Sequence, residues 1–176
     1  MAKFYQADGM SSISEQALIS LAEQLGDIMQ QQSLMLVTAE SCTGGWVAQT
    51  VTAVSGSSSW FDRGFVTYSN ASKQQMLGVS EDTLAQYGAV SNEVVREMAR
   101  GALTHSQGNI SLAISGIAGP GGGTLEKPVG TVCLAWAVRG KQVNAERFLF
   151  AGDRRAVRAQ AVMQALQGVL SILEQK

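Results

Sequence analysis

Apolar residues between positions 13 and 32 recur at helical spacing: Leu18, Leu21, Ala22, Leu25, Ile28 and Met29 fall on one face. Ser12, with Glu15 three positions on, has the form of a capping box that opens this first helix. The next apolar run, "LMLVTA" at 34 to 39, is short and ends in turn-forming residues, which marks a buried strand rather than a helix. Val47, Val51 and Val54 then return to helical spacing, and "SGSSS" stops them.

"GFVTYS" (64 to 69) reads as a second strand, and "NASKQQML" starts another helical turn. Ser80 and Ser91 are placed as N-caps of two further helices, "SEDTLAQY" and "NEVVREMARGALTHS". "NISLAISGIA" (109 to 118) is the most apolar strand candidate, and it runs into a loop with five glycines and two prolines in twelve residues. "GTVCLAWAV" and "QVNAERFLF", joined by "RGK", have the pattern of an antiparallel hairpin. A long helix closes the chain, with Val162, Leu166, Val169, Leu170 and Leu173 along one face. Helices alternating with strands, then a hairpin, predict an α/β sandwich on a mixed, mostly parallel sheet of about five strands.

Composition narrows the classes of function. The 176 residues fit one domain, and 45% apolar content with 15% charged residues lies outside the range of disordered chains. A net charge of -1 without a basic run argues against nucleic acid as a partner. Cys42, Cys133 and the single His105 show no spacing that a zinc site uses, so no metal is expected. No segment has the length of a membrane span or a signal peptide, and the expected compartment is the cytoplasm, with both thiols reduced.

The candidate chemistry lies just past the first strand, in "TAESCTGG" (38 to 45). A nucleophilic hydrolase needs a hydroxyl or thiol on a sharp turn, a base for its proton and backbone N–H groups facing the oxyanion. Ser41 would stand at the strand end, and the amides around Thr43, Gly44 and Gly45 would point from a helix N-terminus toward developing negative charge. A tight strand-to-helix turn accounts for the same letters. Cys42 is either a rival nucleophile or a small buried apolar residue.

His105 lies near the end of a helix far along the chain, which disfavours a Ser/His/Asp triad. The remaining base is a lysine. Lowering its pKa from about 10.4 to about 7.5 needs roughly 4 kcal/mol of differential destabilisation, within what burial provides. Lys73, close behind the second strand, is the best placed; Lys127 and Lys141 sit in loop and turn sequences. Tyr68 and Asn70 flank it as hydrogen-bonding partners for the amine or the substrate.

Two further stretches carry alternatives. "GIAGPGGG" (116 to 123) is either an anion-binding nest or a mobile surface loop. Arg154, Arg155 and Arg158 at a helix start oppose the macrodipole, and either a phosphate ligand or acidic neighbours and water would give them a reason.

Taken in order, "TAESCTGG", "GFVTYSNASK", "GAVS", "SGIAGPGGG", "KPVGTV" and the F-x-G-D-R of 150 to 154 resemble the CinA C-terminal domain family, in particular its stand-alone nicotinamide mononucleotide deamidases. The resemblance spans about 13 to 174 and leaves residues 1 to 12 as an N-terminal extension beside a domain of 13 to 176. It implies a three-layer α/β/α sandwich, hydrolysis of the carboxamide of nicotinamide mononucleotide to nicotinic acid mononucleotide and ammonia, no cofactor, and a homodimer. It further implies Ser41 as nucleophile, Lys73 as its general base, Tyr68 assisting, and the turn of Cys42, Thr43, Gly44 and Gly45 near the oxyanion. Asn70, Gly116, Gly119, Gly121, Gly122 and Arg154 would face the nucleotide.

Overall fold

The structure is a computed structural model that describes residues 3–5 and 13–174. The order of elements is β1 (Lys3–Tyr5), α1 (Glu15–Gln31), β2 (Leu36–Glu40), α2 (Trp46–Thr52), β3 (Phe61–Val66), α3 (Asn70–Leu77), α4 (Glu81–Tyr87), α5 (Asn92–Thr104), β4 (Ile110–Gly116), β5 (Thr131–Val138), β6 (Asn144–Phe150) and α6 (Arg154–Glu174). The strands form one sheet in the order β1-β6-β5-β4-β2-β3.

Strand β2 runs parallel to both neighbours, β3 and β4, while β4–β5 and β5–β6 are antiparallel. The mixed sheet therefore has a parallel half and a hairpin half, as the sequence pattern predicts. The short β1 adds a parallel edge strand beside β6, within the stretch assigned above to an extension.

Burial follows from strand alternation. Leu36 of β2 and Ile110, Leu112 and Ile114 of β4 face a cluster built by α1, α2 and α6. Val37, Ala39 and Ala113 face the opposite cluster, under α3, α4 and α5. Helices thus cover both faces, the three-layer α/β/α sandwich that the resemblance implies. Trp60 and Trp136 are buried, and the Trp136 indole donates to the Ala165 carbonyl at 2.9 Å. Gly101 of α5 lets α3 approach closely, because a Cβ there would collide with the Leu77 carbonyl.

Two boundaries differ from the sequence expectation. Ser14 caps α1, its hydroxyl accepting from the Ala17 amide at 3.1 Å; Ser12, expected in that role, lies outside the described residues. The second strand is Phe61–Val66 rather than 64 to 69. Local chemistry ends it: Ser69 and Ser72 form a reciprocal capping box that starts α3 and takes the chain out of the sheet. Ser80 and Ser91 cap α4 and α5 as expected. The C-terminal ends of β2, β3 and β4 come out side by side, the position where open α/β sheets gather their functional loops.

Candidate active site

Ser41 continues the ladder one step past β2, its amide donating to the Ile114 carbonyl at 3.0 Å. Its hydroxyl meets Lys73: Nζ lies 3.0 Å from Ser41 Oγ and 2.9 Å from the Thr67 carbonyl. Lys73 stands in the first turn of α3 and is 1% exposed. Both of its partners are neutral oxygens, and desolvation lowers the amine's pKa from its ordinary 10.5, with the Cys42 thiol acting weakly the other way. A lysine in this setting gives up its proton more readily than one in water.

Cys42 is buried, and its thiol is pushed up to about 12, chiefly by that burial. It is a neutral apolar filler beneath Gly116, where an added Cβ would lie 3.1 Å from its sulfur. The thiol therefore lacks the thiolate character a cysteine hydrolase requires.

The turn after Ser41 departs from the expected oxyanion arrangement in one respect. Glu40, 1% exposed, takes the N-terminal amides of α2: Oε2 accepts from Gly45 and Val47 at 3.1 and 3.0 Å, and Oε1 from Ala48 at 2.9 Å. Gly44 donates to the Ser41 carbonyl at 3.0 Å. The amides of Gly44 and Gly45 are thus committed, and the helix N-terminus faces the Glu40 carboxylate instead of the serine. Among the described residues the Thr43 amide donates to no other backbone group, and the Cys42 amide meets only its own thiol. Arg158 holds the turn from the other side, Nη2 donating to the Thr43 carbonyl at 2.6 Å while its guanidinium lies 5.2 Å over the Trp46 ring.

A cleft of about 240 Å³ opens over Ser41 and Lys73, with Tyr68, Asn70, Gly116 and Arg154 in its walls. Tyr68 is 61% exposed, and its hydroxyl accepts from Arg154 Nη2 at 3.0 Å, not from Lys73. Arg154 Nη1 donates to the Gly119 carbonyl at 2.9 Å, which ties the glycine-rich loop to the cleft. Gly121 and Gly122 are exposed and stand outside its walls. His105 ends α5, its ring bonded to the Gly101 carbonyl at 2.9 Å, away from this site. Among the described residues no three His, Cys, Asp or Glu side chains gather as metal ligands, and no helix is long and apolar enough to cross a membrane.

Sequence reasoning missed Glu40. The available signal was an acid at a strand end five residues before Gly45 and the helix start, within reach of that helix's unpaired amides.

The chain is similar to known proteins over most of its length. The chain is 54% identical over 155 residues to the nicotinamide-nucleotide amidohydrolase PncC of Escherichia coli (strain K12), covering 88% of this chain and 94% of that one. It is 51% identical over 155 residues to the protein of the same name from Pseudomonas putida, covering 88% and 96%. The crystal structure of competence/damage inducible protein CihA from Agrobacterium tumefaciens superposes with a TM-score of 0.87 at 40% identity, covering 98% of this chain and 99% of that one. A CinA superfamily protein from Klebsiella pneumoniae does so with a TM-score of 0.87 at 40% identity, covering 90% and 99%. The family model for the CinA C-terminal domain matches residues 18–173. With fold, sequence and the order of motifs in agreement, the chain belongs to the CinA C-terminal domain family.

Proposed function

We propose that the protein is a nicotinamide-nucleotide amidohydrolase that converts nicotinamide mononucleotide to nicotinic acid mononucleotide and ammonia through a Ser41/Lys73 mechanism. The observation that carries this reading is the 3.0 Å contact between Ser41 Oγ and the buried Lys73 amine. High identity to relatives named for that activity gives the substrate class.

In the reaction, neutral Lys73 accepts the Ser41 proton as the hydroxyl oxygen attacks the carboxamide carbon. The resulting oxyanion lies within reach of the Cys42 and Thr43 amides. Lys73 then passes the proton to the departing nitrogen, the C–N bond breaks, and ammonia leaves an acyl-serine. Water, deprotonated by the same amine, hydrolyses that ester to the carboxylate and returns Ser41 to its starting state. General base catalysis contributes typically about 10² to 10⁴-fold and each oxyanion donor about 10² or more. Tyr68 and Arg154, bonded to each other at the cleft mouth, are placed to meet the nucleotide rather than to take the serine proton.

The test is ammonia release from nicotinamide mononucleotide by the purified protein, beside Ser41→Ala and Lys73→Met variants with intact folding. Release by wild type and loss in both variants is the expected result. Binding without release by well-folded wild type would replace this reading with a non-catalytic nucleotide-binding module.

A further inference from the structure

The turn after Ser41 is tied down on both sides of the two amides that face the oxyanion. On one side the Ser41 amide is bonded to the Ile114 carbonyl of β4 and the Ser41 carbonyl to the Gly44 amide, each at 3.0 Å. On the other, the Thr43 carbonyl accepts from the Trp46 amide at 3.3 Å and from Arg158 Nη2 at 2.6 Å. The peptides between these anchors carry the Cys42 and Thr43 amides. Gly44 and Gly45 follow with φ of +62° and +95°, a region that glycine enters freely and that lends the chain little stiffness of its own. The hold on the Thr43 carbonyl therefore has to come from outside the turn.

Arg158 supplies it from the second turn of α6, 115 residues along the chain. Its guanidinium lies 5.2 Å over the Trp46 ring, and this stacking fixes the plane from which Nη2 donates. Trp46 is the first residue of α2, so one side chain grips both the turn and the helix that follows it. The bond is shorter than an ordinary N–H···O contact, in keeping with a charged donor. The charge is also felt at this place. Burial dominates at the Cys42 thiol, its own backbone bond comes second, and the next two influences are Arg158, which favours the anion, and Glu40, which disfavours it. Negative charge forming on a substrate oxygen at the same turn meets the same pair, and Arg158 offsets the opposition of the buried Glu40 carboxylate. Arg158 is absent from the walls of the cleft, whereas Arg154, one turn earlier, stands in them.

We propose that Arg158 is the positioning residue of the oxyanion turn: as a cationic donor it holds the Thr43 carbonyl so that the Cys42 and Thr43 amides face the oxygen that takes up charge when Ser41 attacks. The inference rests on the amidohydrolase reading for the identity of the reaction. Arg158 acts through the backbone and does not touch the substrate, so its loss falls on the transition state and leaves ground-state binding in place.

The experiment measures kcat and KM for ammonia release from nicotinamide mononucleotide by wild type, Arg158→Met, Arg158→Gln and Arg158→Lys, each corrected for its folded fraction by near-UV circular dichroism. Calorimetric binding of pyridine-3-boronic acid accompanies it, with Ser41→Ala as the blank. In that adduct the Ser41 oxygen bonds to boron as its proton passes to Lys73; boron becomes tetrahedral and anionic, nothing leaves, and the turn faces a charge like that of the oxyanion. Arg158→Met is expected to lower kcat by about 10- to 100-fold, a part of what a lost oxyanion donor costs, to keep KM within about threefold, and to weaken the boronate by a factor similar to that in kcat. Arg158→Lys, still a cationic donor but without the planar fork, recovers part of the loss. Arg158→Gln, a neutral donor, reads the same loss if the methionine variant fails to fold. The proposal is overturned if folded Arg158→Met and Arg158→Gln keep kcat within about threefold of wild type, if KM rises while kcat holds, or if Arg158→Lys is no better than Arg158→Met. A wild type that forms the Ser41 boronate but releases no ammonia would refute the amidase reading, and the boronate comparison alone would then decide the role of Arg158. Ammonia release with kcat unchanged in the variants would refute this inference and leave that reading standing.

Discussion

Replacing Glu40 with glutamine tests whether the turn that carries Ser41 is held by the carboxylate behind it. The substitution is nearly isosteric, and the structure fixes what it removes. Three amides, of Gly45, Val47 and Ala48, converge on the two carboxylate oxygens at 2.9 to 3.1 Å. A glutamine has one acceptor oxygen, which can keep the Gly45 and Val47 bonds at Oε2 in neutral form, while its NH₂ turns toward the Ala48 amide, donor against donor.

The cost is one charge-assisted bond, about 1.5–3 kcal/mol, plus the weakening of two others from charged to neutral, for a total near 3 kcal/mol. In a domain of this size each kcal/mol moves the midpoint by about 2–4 °C, so the melting temperature should fall by about 6–12 °C. Calorimetry and urea denaturation of wild type and Glu40→Gln, with unchanged m-value, make the measurement. At 25 °C, where the variant stays folded, kcat for ammonia release should also fall, because Cys42 and Thr43 lose their fixed orientation toward the oxyanion. A midpoint within about 2 °C of wild type would refute the claim that these amides depend on a buried carboxylate.

Further outcomes follow from the same site. Lys73→Met should abolish hydrolysis and stabilise the fold, most strongly at low pH. Burial lowers the folded pKa below 10.5, so between the two values the unfolded chain holds a proton the native chain has lost, wild-type stability rises with pH across that window, and the advantage of the variant shrinks there. The wild-type rate should rise with pH through the depressed Lys73 pKa; a rate that falls on alkaline titration over that range would contradict the neutral-amine mechanism. Cys42→Ala should retain activity to within about threefold, since its thiol stays neutral, whereas loss comparable to Ser41→Ala would make the thiol the nucleophile. Gly101→Ala, whose Cβ would collide with the Leu77 carbonyl at the end of α3, should lower stability by about 1–3 kcal/mol in urea titrations.

The sequence by itself determined the alternation of elements, because apolar period is a local property of the chain. Leu18 to Met29 needed only helical spacing to declare a helix, and "NISLAISGIA" only its length and apolarity to declare a strand. Capping was legible for the same reason: Ser80 and Ser91 act on amides three residues away. The capping serine of α1 was misplaced by two residues, and the second strand was read three residues late. For the cap, neighbouring serines offered equivalent hydroxyls and only the chain path selected one; for the strand, the polar opening at Asp62 and Arg63 hid its start and the Ser69/Ser72 capping box ended it early. Ser41 and Lys73 were nameable from residue type and position along the chain.

Their 3.0 Å contact was decided by tertiary structure, since it joins residues 32 apart through parallel pairing of β2 with β3 and the burial of α3 against α5. So was the partner of each polar group. Tyr68 reaches Arg154, 86 residues away, instead of its near neighbour Lys73; Arg158 reaches Thr43 across 115. The Gly45 amide turns to Glu40 rather than to an oxyanion because a buried carboxylate lies within its reach. Periodicity fixes which side of an element is apolar, but which donors and acceptors meet across elements depends on the register and packing that bring them together, and those are set only when the whole sheet forms.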